Sequence, residues 1–212
     1  MRLVWTLGLC GAMGAALAWA QTATPKAASA PASAAAVPLL PAVATVPGMP
    51  PVIDAKNLYS EQAAGKVQAA IATDLPRIYV PNLRGHDVHV IDPVTMKVVD
   101  RFKVCYSSQH IVASLDMNTL WVTNNAERRT DGSLTPIDPK TGKAGPAIDV
   151  DNPYNLYFSP DGKSAIVVAE ARKRLDFRDP QTMALQAELP VPGCRGVNHA
   201  DFSKDGKYAI FT

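Results

Sequence analysis

The chain predicts an all-β protein, a β-propeller of four-stranded antiparallel blades, with about three and a half blades in its 212 residues. Three observations carry this. The stretch Asn155–Glu170, N-L-Y-F-S-P-D-G-K-S-A-I-V-V-A-E, reads as two short strands around an Asp161-Gly162 turn, in which Asp bonds its own backbone and Gly takes the positive φ. The same arrangement returns at His199–Thr212 and, more loosely, at His110–Asn124; anchored on Ser114, Ser159 and Ser203, the intervals are 45 and 44 residues, the period of a propeller blade. A second series, Asp-Pro-x-Thr at Asp92–Thr95, Asp138–Thr141 and Asp179–Thr182, is spaced 46 and 41 and interleaves with the first. A lone four-stranded sheet cannot bury both faces, so the copies must stand side by side around an axis.

Residues 1–20 have the shape of a secretory signal peptide: Arg2 as a short positive start, an apolar run over Leu3–Leu17, and Ala18-Trp19-Ala20 before a cleavage point at Gln21. The alternative, a retained anchor, is disfavoured because the apolar run is short for a bilayer span of roughly 20 residues. Residues 21–52 are a linker by composition, with 17 Ala or Pro in 32 positions and Lys26 as the one charge; the prolines deny it a useful helix. A spacer between envelope and folded part and merely tolerated low complexity both fit this composition. Residues 53–76 are an N-terminal extension or the innermost strand of a first blade; the apolar run Val67–Thr73 reads as that strand or as one helical turn with Gln62–Lys66, and the strand is favoured. The partial propeller occupies residues 77–212.

Within it each period reads strand, Asp turn, strand, longer loop, strand, Asp-Pro-x-Thr turn, strand. The expected strands are Arg77–Asn82 in the first unit and Gln109–Ser114, Thr119–Asn124, Leu134–Asp138 and Pro146–Val150 in the second. Tyr154–Ser159, Ser164–Ala169, Arg174–Arg178 and Ala184–Pro190 make the third, and Val197–Ser203 and Lys207–Thr212 begin a fourth. Propellers close with 4–8 blades, so the count predicts a fragment of a longer protein. Otherwise the open blade edges must be covered by self-association.

Lys plus Arg number 21 against 19 Asp plus Glu, a balance that gives no electrostatic case for nucleic acid or an anionic membrane surface. There is no C-x-x-C-H for covalent haem, no G-x-S-x-G, no Gly-rich phosphate loop and no H-E-x-x-H. These absences favour binding over catalysis.

Strand direction sorts the loops onto two faces. The connections into the innermost strands and the loops after the second strands share one face, which collects Asn82, Asn124, Arg128, Arg195, His110, Asn155 and His199. On it a duplicated C-x4-H, Cys105 to His110 and Cys194 to His199, falls at equivalent positions two blades apart. Two imidazoles there suit a metal or the iron or propionates of a tetrapyrrole, while hydrogen bonds that cap the inner strands are the plainer role. Sheets stand roughly 10 Å apart, so Cys105 and Cys194 should not be bonded to each other. His86 and His89 form H-x-x-H, but residues three apart in a strand point to opposite faces; His86 reads as a solvated loop residue and His89 as a packer between blades. The Asp92, Asp138 and Asp179 carboxylates read as turn formers. Arg128-Arg129 beside Asp131 is a solvated loop, or one able to hold a carboxylate or phosphate.

Tyr79-Val80-Pro81-Asn82 and Trp121-Val122-Thr123-Asn124, with V-x-V-I-D-P-x-T over Val88–Thr95, resemble the YVTN-repeat (YncE-like) β-propellers of bacterial envelopes, and distantly the cytochrome haem d1-type propeller. Ala169 stands where the third blade would have the Asn, and Met117 replaces the turn Gly. The resemblance implies a periplasmic or secreted propeller whose partner is an unidentified periplasmic protein or small ligand, and whose cofactor, if it has one, is unknown, with haem or copper as the alternatives. It hands over no catalytic residue.

Overall fold

The computed structural model describes residues 2–3, 53–54, 56–127, 129 and 131–212. The expected leader, apart from residues 2–3, the expected linker and Arg128 lie outside the described residues. Four antiparallel sheets follow one another along the chain. Residues 2–3 (β1) run parallel beside the last strand, pairing Arg2 with Tyr208 and Leu3 with Ala209. The first sheet is β2 (Ile78–Asn82), β3 (Asp87–Asp92) and β4 (Lys97–Lys103). The second is β5 (Ser108–Ala113), β6 (Leu120–Asn124), β7 (Ser133–Ile137) and the two-residue β8 (Ile148–Asp149). The third is β9 (Pro153–Phe158), β10 (Ala165–Ala169), β11 (Arg174–Arg178) and β12 (Leu185–Pro190); β13 (Ala200–Phe202) and β14 (Tyr208–Phe211) form the fourth. These bounds follow the expected strands closely, and the four-stranded antiparallel sheets confirm the propeller class. The expected strand over Val67–Thr73 is absent: Ala69–Ile71 is a 3-10 turn, and the first sheet has no strand inside β2. Alanine, at Ala69, Ala70 and Ala72, is depleted in strands and offers little to hold one against a neighbouring sheet.

Three apolar cores separate the sheets, as stacking around an axis requires. Val88, Val122 and Ile137, with Tyr79, Phe102 and Ile111, fill the space between the first and second sheets. Trp121, Leu134, Leu156, Phe158, Val167 and Met183 fill that between the second and third. Ile166, Val168, Leu175 and Val197, flanked by Phe202 and Phe211, join the third to the fourth. β10 is apolar throughout because it is covered on both sides; every residue from Ala165 to Ala169 is 0% exposed.

The turns explain the repeat. In each marker turn a serine Oγ donates to the aspartate two residues on, at 2.6 Å for Ser114, 2.7 Å for Ser159 and 2.7 Å for Ser203. The same Oγ accepts the amide five residues on, from Thr119, Ser164 and Tyr208. Gly162 and Gly206 take left-handed φ of 72° and 67°, and Met117, where glycine is missing, is forced to 59°. The Asp-Pro-x-Thr turns are equally closed. The amide and hydroxyl of Thr95 and of Thr182 donate to Asp92 and Asp179, and Lys140 N–H and the Thr141 hydroxyl to Asp138. These bonds hold all three carboxyls below the ordinary aspartate range, as their role in the turns requires. The residue four after each Asp is again left-handed: Met96, Gly142 and Met183.

The N-terminal extension runs along this turn face. Leu58 N–H donates to Lys204 O at 3.0 Å, the Tyr59 hydroxyl donates to Phe202 O at 2.8 Å and bonds Asp201, and Leu75 N–H donates to Pro139 O at 3.0 Å. The segment thereby joins the fourth sheet to the second. Among the described residues no helix is long and apolar enough to cross a membrane.

Candidate functional site

At the opposite ends of the strands, β5, β9 and the approach to β13 bring three rings together. His110 lies 5.7 Å from His199, centroid to centroid, with their planes at 83°. Tyr154 packs edge-on against both, at 5.2 Å and 5.8 Å. Equivalent positions two sheets apart thus meet, because inner strands converge on the axis while the sheets splay outward.

Register explains how the rings are aimed. β5 and β6 pair Ser108 with Asn124 and then His110 with Thr123, leaving Gln109 as an extra residue. β9 and β10 pair Asn155 with Val168 and then Pro153 with Ala169, leaving Tyr154 extra. A bulge lets two successive side chains serve one side of the sheet. Tyr154 therefore reaches the histidines while Asn155, in the position equivalent to His110, places its Nδ2 3.5 Å from His199 Nδ1. That amide is itself fixed, donating to the Tyr157 hydroxyl at 2.9 Å.

Thr123 holds the other side. Fully buried, its Oγ1 accepts His110 N–H and donates to Tyr154 O, each at 3.1 Å. His110 Nδ1 stands 2.8 Å from the same carbonyl. A carbonyl oxygen only accepts, so Nδ1 carries the hydrogen and the Nε2 lone pair is left unprotonated. Burial pulls the His110 pKa below its ordinary value; the Tyr154 bond pushes back, and a charge on nearby His199 would lower it further. His110 is therefore neutral at pH 7. His199 is exposed.

The other expected site residues do not join this cluster. Asn124 is 0% exposed and donates to Ser133 and Thr135 hydroxyls, so it ties β6 to β7 and does not reach the face. Asn82 accepts Gly85 N–H at 3.0 Å and shapes the β2–β3 loop. Arg195 is exposed on the loop before β13. Cys194 packs beside the core between the third and fourth sheets, Cys105 lines a separate cleft, and both are free thiols. That cleft, about 550 Å³, is bounded by Asp100, Phe102, Lys103, Cys105, Thr135 and Lys143 and shares no residue with the ring cluster. Arg129 is engaged by Asp131 and lies 4.1 Å above the Tyr106 ring.

His86 departs from its reading, and His89 takes the side of the first sheet away from the second. His86 is not simply solvated: its Nδ1 accepts Ser107 N–H at 3.0 Å and its ring meets Tyr106 at 5.1 Å. His89 does not pack against the second sheet. Alternation places Val88 and Val90 there and turns His89 to the other side with Asp87, 3.6 Å from its carboxylate. Arg101 neutralises that buried carboxylate.

Sequence reading missed Tyr154, Thr123 and Asn152. Asn152, 1% exposed and left-handed at φ 51°, donates to Asn125 O, Asn125 Oδ1 and Glu127 O and accepts Ala171 N–H. It knits three loops of this face. An aromatic just before the repeated His/Asn position was the one available signal for Tyr154. Among the described residues, no group of three or more His, Cys, Asp or Glu is placed to hold a metal.

No family model matches the chain, and no curated protein matches it. Solved structures do. Hydrazine synthase of Kuenenia stuttgartiensis is 25% identical over 64% of this chain and 38% of its own, with a TM-score of 0.52. Dihydro-heme d1 dehydrogenase NirN in complex with DHE is 21% identical over 61% of this chain and 27% of its own, with a TM-score of 0.45. The chain thus spans well under half the length of either. Four antiparallel sheets fanned about an axis, and the likeness to hydrazine synthase, make this chain a β-propeller module with its ring cluster at the loop end of the inner strands.

Proposed function

We propose that the chain is an exported, non-catalytic β-propeller module that holds a small ligand or a protein partner at the His110–Tyr154–His199 face, in the periplasm or outside the cell. The single observation that carries the reading is the ring cluster itself: three side chains from three successive sheets converge where a lone sheet could place one. At the other end Asp92, Asp138 and Asp179 are engaged by their own turns, which supports a binding role over acid–base chemistry there. Hydrogen exchange on the full chain mixed with envelope extract tests it. Protection confined to β5, β9 and the loop before β13 is the expected result; protection elsewhere, or none, overturns the reading.

A second reading is favoured by the paired imidazoles: a haem- or metal-binding redox protein, or an accessory to one. Addition of haem to the chain separates the two. A spectral shift that vanishes in His110→Ala selects the second reading, and an unchanged spectrum with an intact fold selects the first.

A further inference from the structure

We propose that His110 and His199 together bind one divalent late transition ion, Ni2+ or Zn2+ in class, at the mouth formed by the inner strands. The proposal rests on the reading of this face as the ligand site and names its ligand.

The geometry comes first. With metal–nitrogen bonds of about 2.0–2.1 Å, two imidazoles on one ion at cis to trigonal angles hold their ring centroids roughly 4.5–5.5 Å apart. The two rings stand at 5.7 Å, a separation that a small turn of the exposed His199 ring closes. His110 lies on β5 and His199 immediately before β13, two sheets on, so the fold rather than local sequence brings the two rings together.

The tautomer comes second. Metal-bound histidines characteristically give their other ring N–H to a carbonyl or carboxylate, which fixes the ring and raises the basicity of the ligating nitrogen. His110 does this through Nδ1 to Tyr154 O at 2.8 Å, and Thr123 shares and steadies that carbonyl. Its Nε2 lone pair is left without a proton. A histidine whose only task was to cap a strand would not need a carbonyl fixed by a second donor.

The third point is the asymmetry of the pair. His110 is half-buried and tied to the Tyr154 carbonyl, whereas His199 is exposed and its ring meets the edge-on Tyr154 and His110 rings and the 3.5 Å approach of Asn155. A fixed ligand and an adjustable one suit an ion that arrives from solvent, and with two protein ligands the remaining positions go to water or a ligand's donor atoms. Imidazole-only coordination selects late first-row ions over Mg2+ or Ca2+, which want oxygen.

Nickel titration of the full chain by calorimetry tests this, in a buffer that does not chelate. Ni2+ is the probe because Cu2+ would oxidise the free thiols Cys105 and Cys194. One ion per chain is expected, with affinity falling at least about tenfold in His199→Ala and in His110→Gln. The His199 variant cannot unfold the protein through lost burial, since that side chain is exposed. Cys105→Ser/Cys194→Ser should bind as the parent does. No binding by the parent, or equal binding by His199→Ala, overturns the proposal. If nickel fails while envelope extract still protects β5 and β9, only the ion is refuted; if both fail, the face itself is not the site.

Discussion

The two ends of the strands are built on different principles. At the turn end the side chains that form the turns find partners within about six residues: Ser159 closes on Asp161 and Ser164, and Asp179 on Gln181 and Thr182. At the loop end the partners are far apart in the chain. His110 bonds Tyr154, 44 residues on, and Asn152 reaches Asn125, 27 residues back. Local closure makes the repeat; distant closure makes the site. The turn end therefore tolerates damage one turn at a time, while the loop end couples sheet to sheet.

The largest test of that contrast is Asn152→Ala. It removes four hydrogen bonds from a buried position and leaves alanine in a left-handed conformation, so thermal or urea unfolding should show a loss of about 3 kcal/mol. A loss under about 1 kcal/mol would mean that the loops are not coupled. Ser159→Ala should cost less, about 1–2 kcal/mol, through the bared Asp161 carboxylate and Ser164 amide. Ser203→Ala should cost a similar amount, through the same pair of bonds at Asp205 and Tyr208.

The third effect depends on pH. Folding lowers the His110 pKa below its unfolded value, so the native state binds fewer protons near that pKa. Stability is then full above about pH 6.5 and declines as pH falls through the unfolded value toward the folded one. His110→Gln should flatten that decline in pH-dependent melting curves, and an unchanged slope would place the proton elsewhere. The smallest effect is a gain. Met96, exposed and left-handed at φ 53°, occupies the position that Gly142 fills in the next repeat. Met96→Gly should stabilise by about 0.5–1 kcal/mol, read as a raised melting midpoint.

The same contrast explains what could be read from the sequence. Ser159, Asp161 and Gly162 act within one turn, so their chemistry is written in adjacent letters and the period follows from it. The strand over Val67–Thr73 was misread because apolarity alone does not separate a strand from a short 3-10 turn when no repeat partner is at hand. The histidine pair was legible because C-x4-H recurs at equivalent positions two periods apart. Tyr154 was not, because a bulge changes which side a residue serves without changing any letter nearby. Asn124 was misplaced for a related reason: its motif position marks the end of a strand, but its burial depends on Ser133 and Thr135 across the sheet.

The extension ahead of β2 also has a mechanical side. It is fastened at Lys204, Phe202 and Asp201 before it is fastened at Pro139. Tension applied from upstream of Asn57 would therefore load the final pair of strands first and reach the opening strand only after that clasp gives way. A tether joined at the amino end would pull on the module by its last sheet.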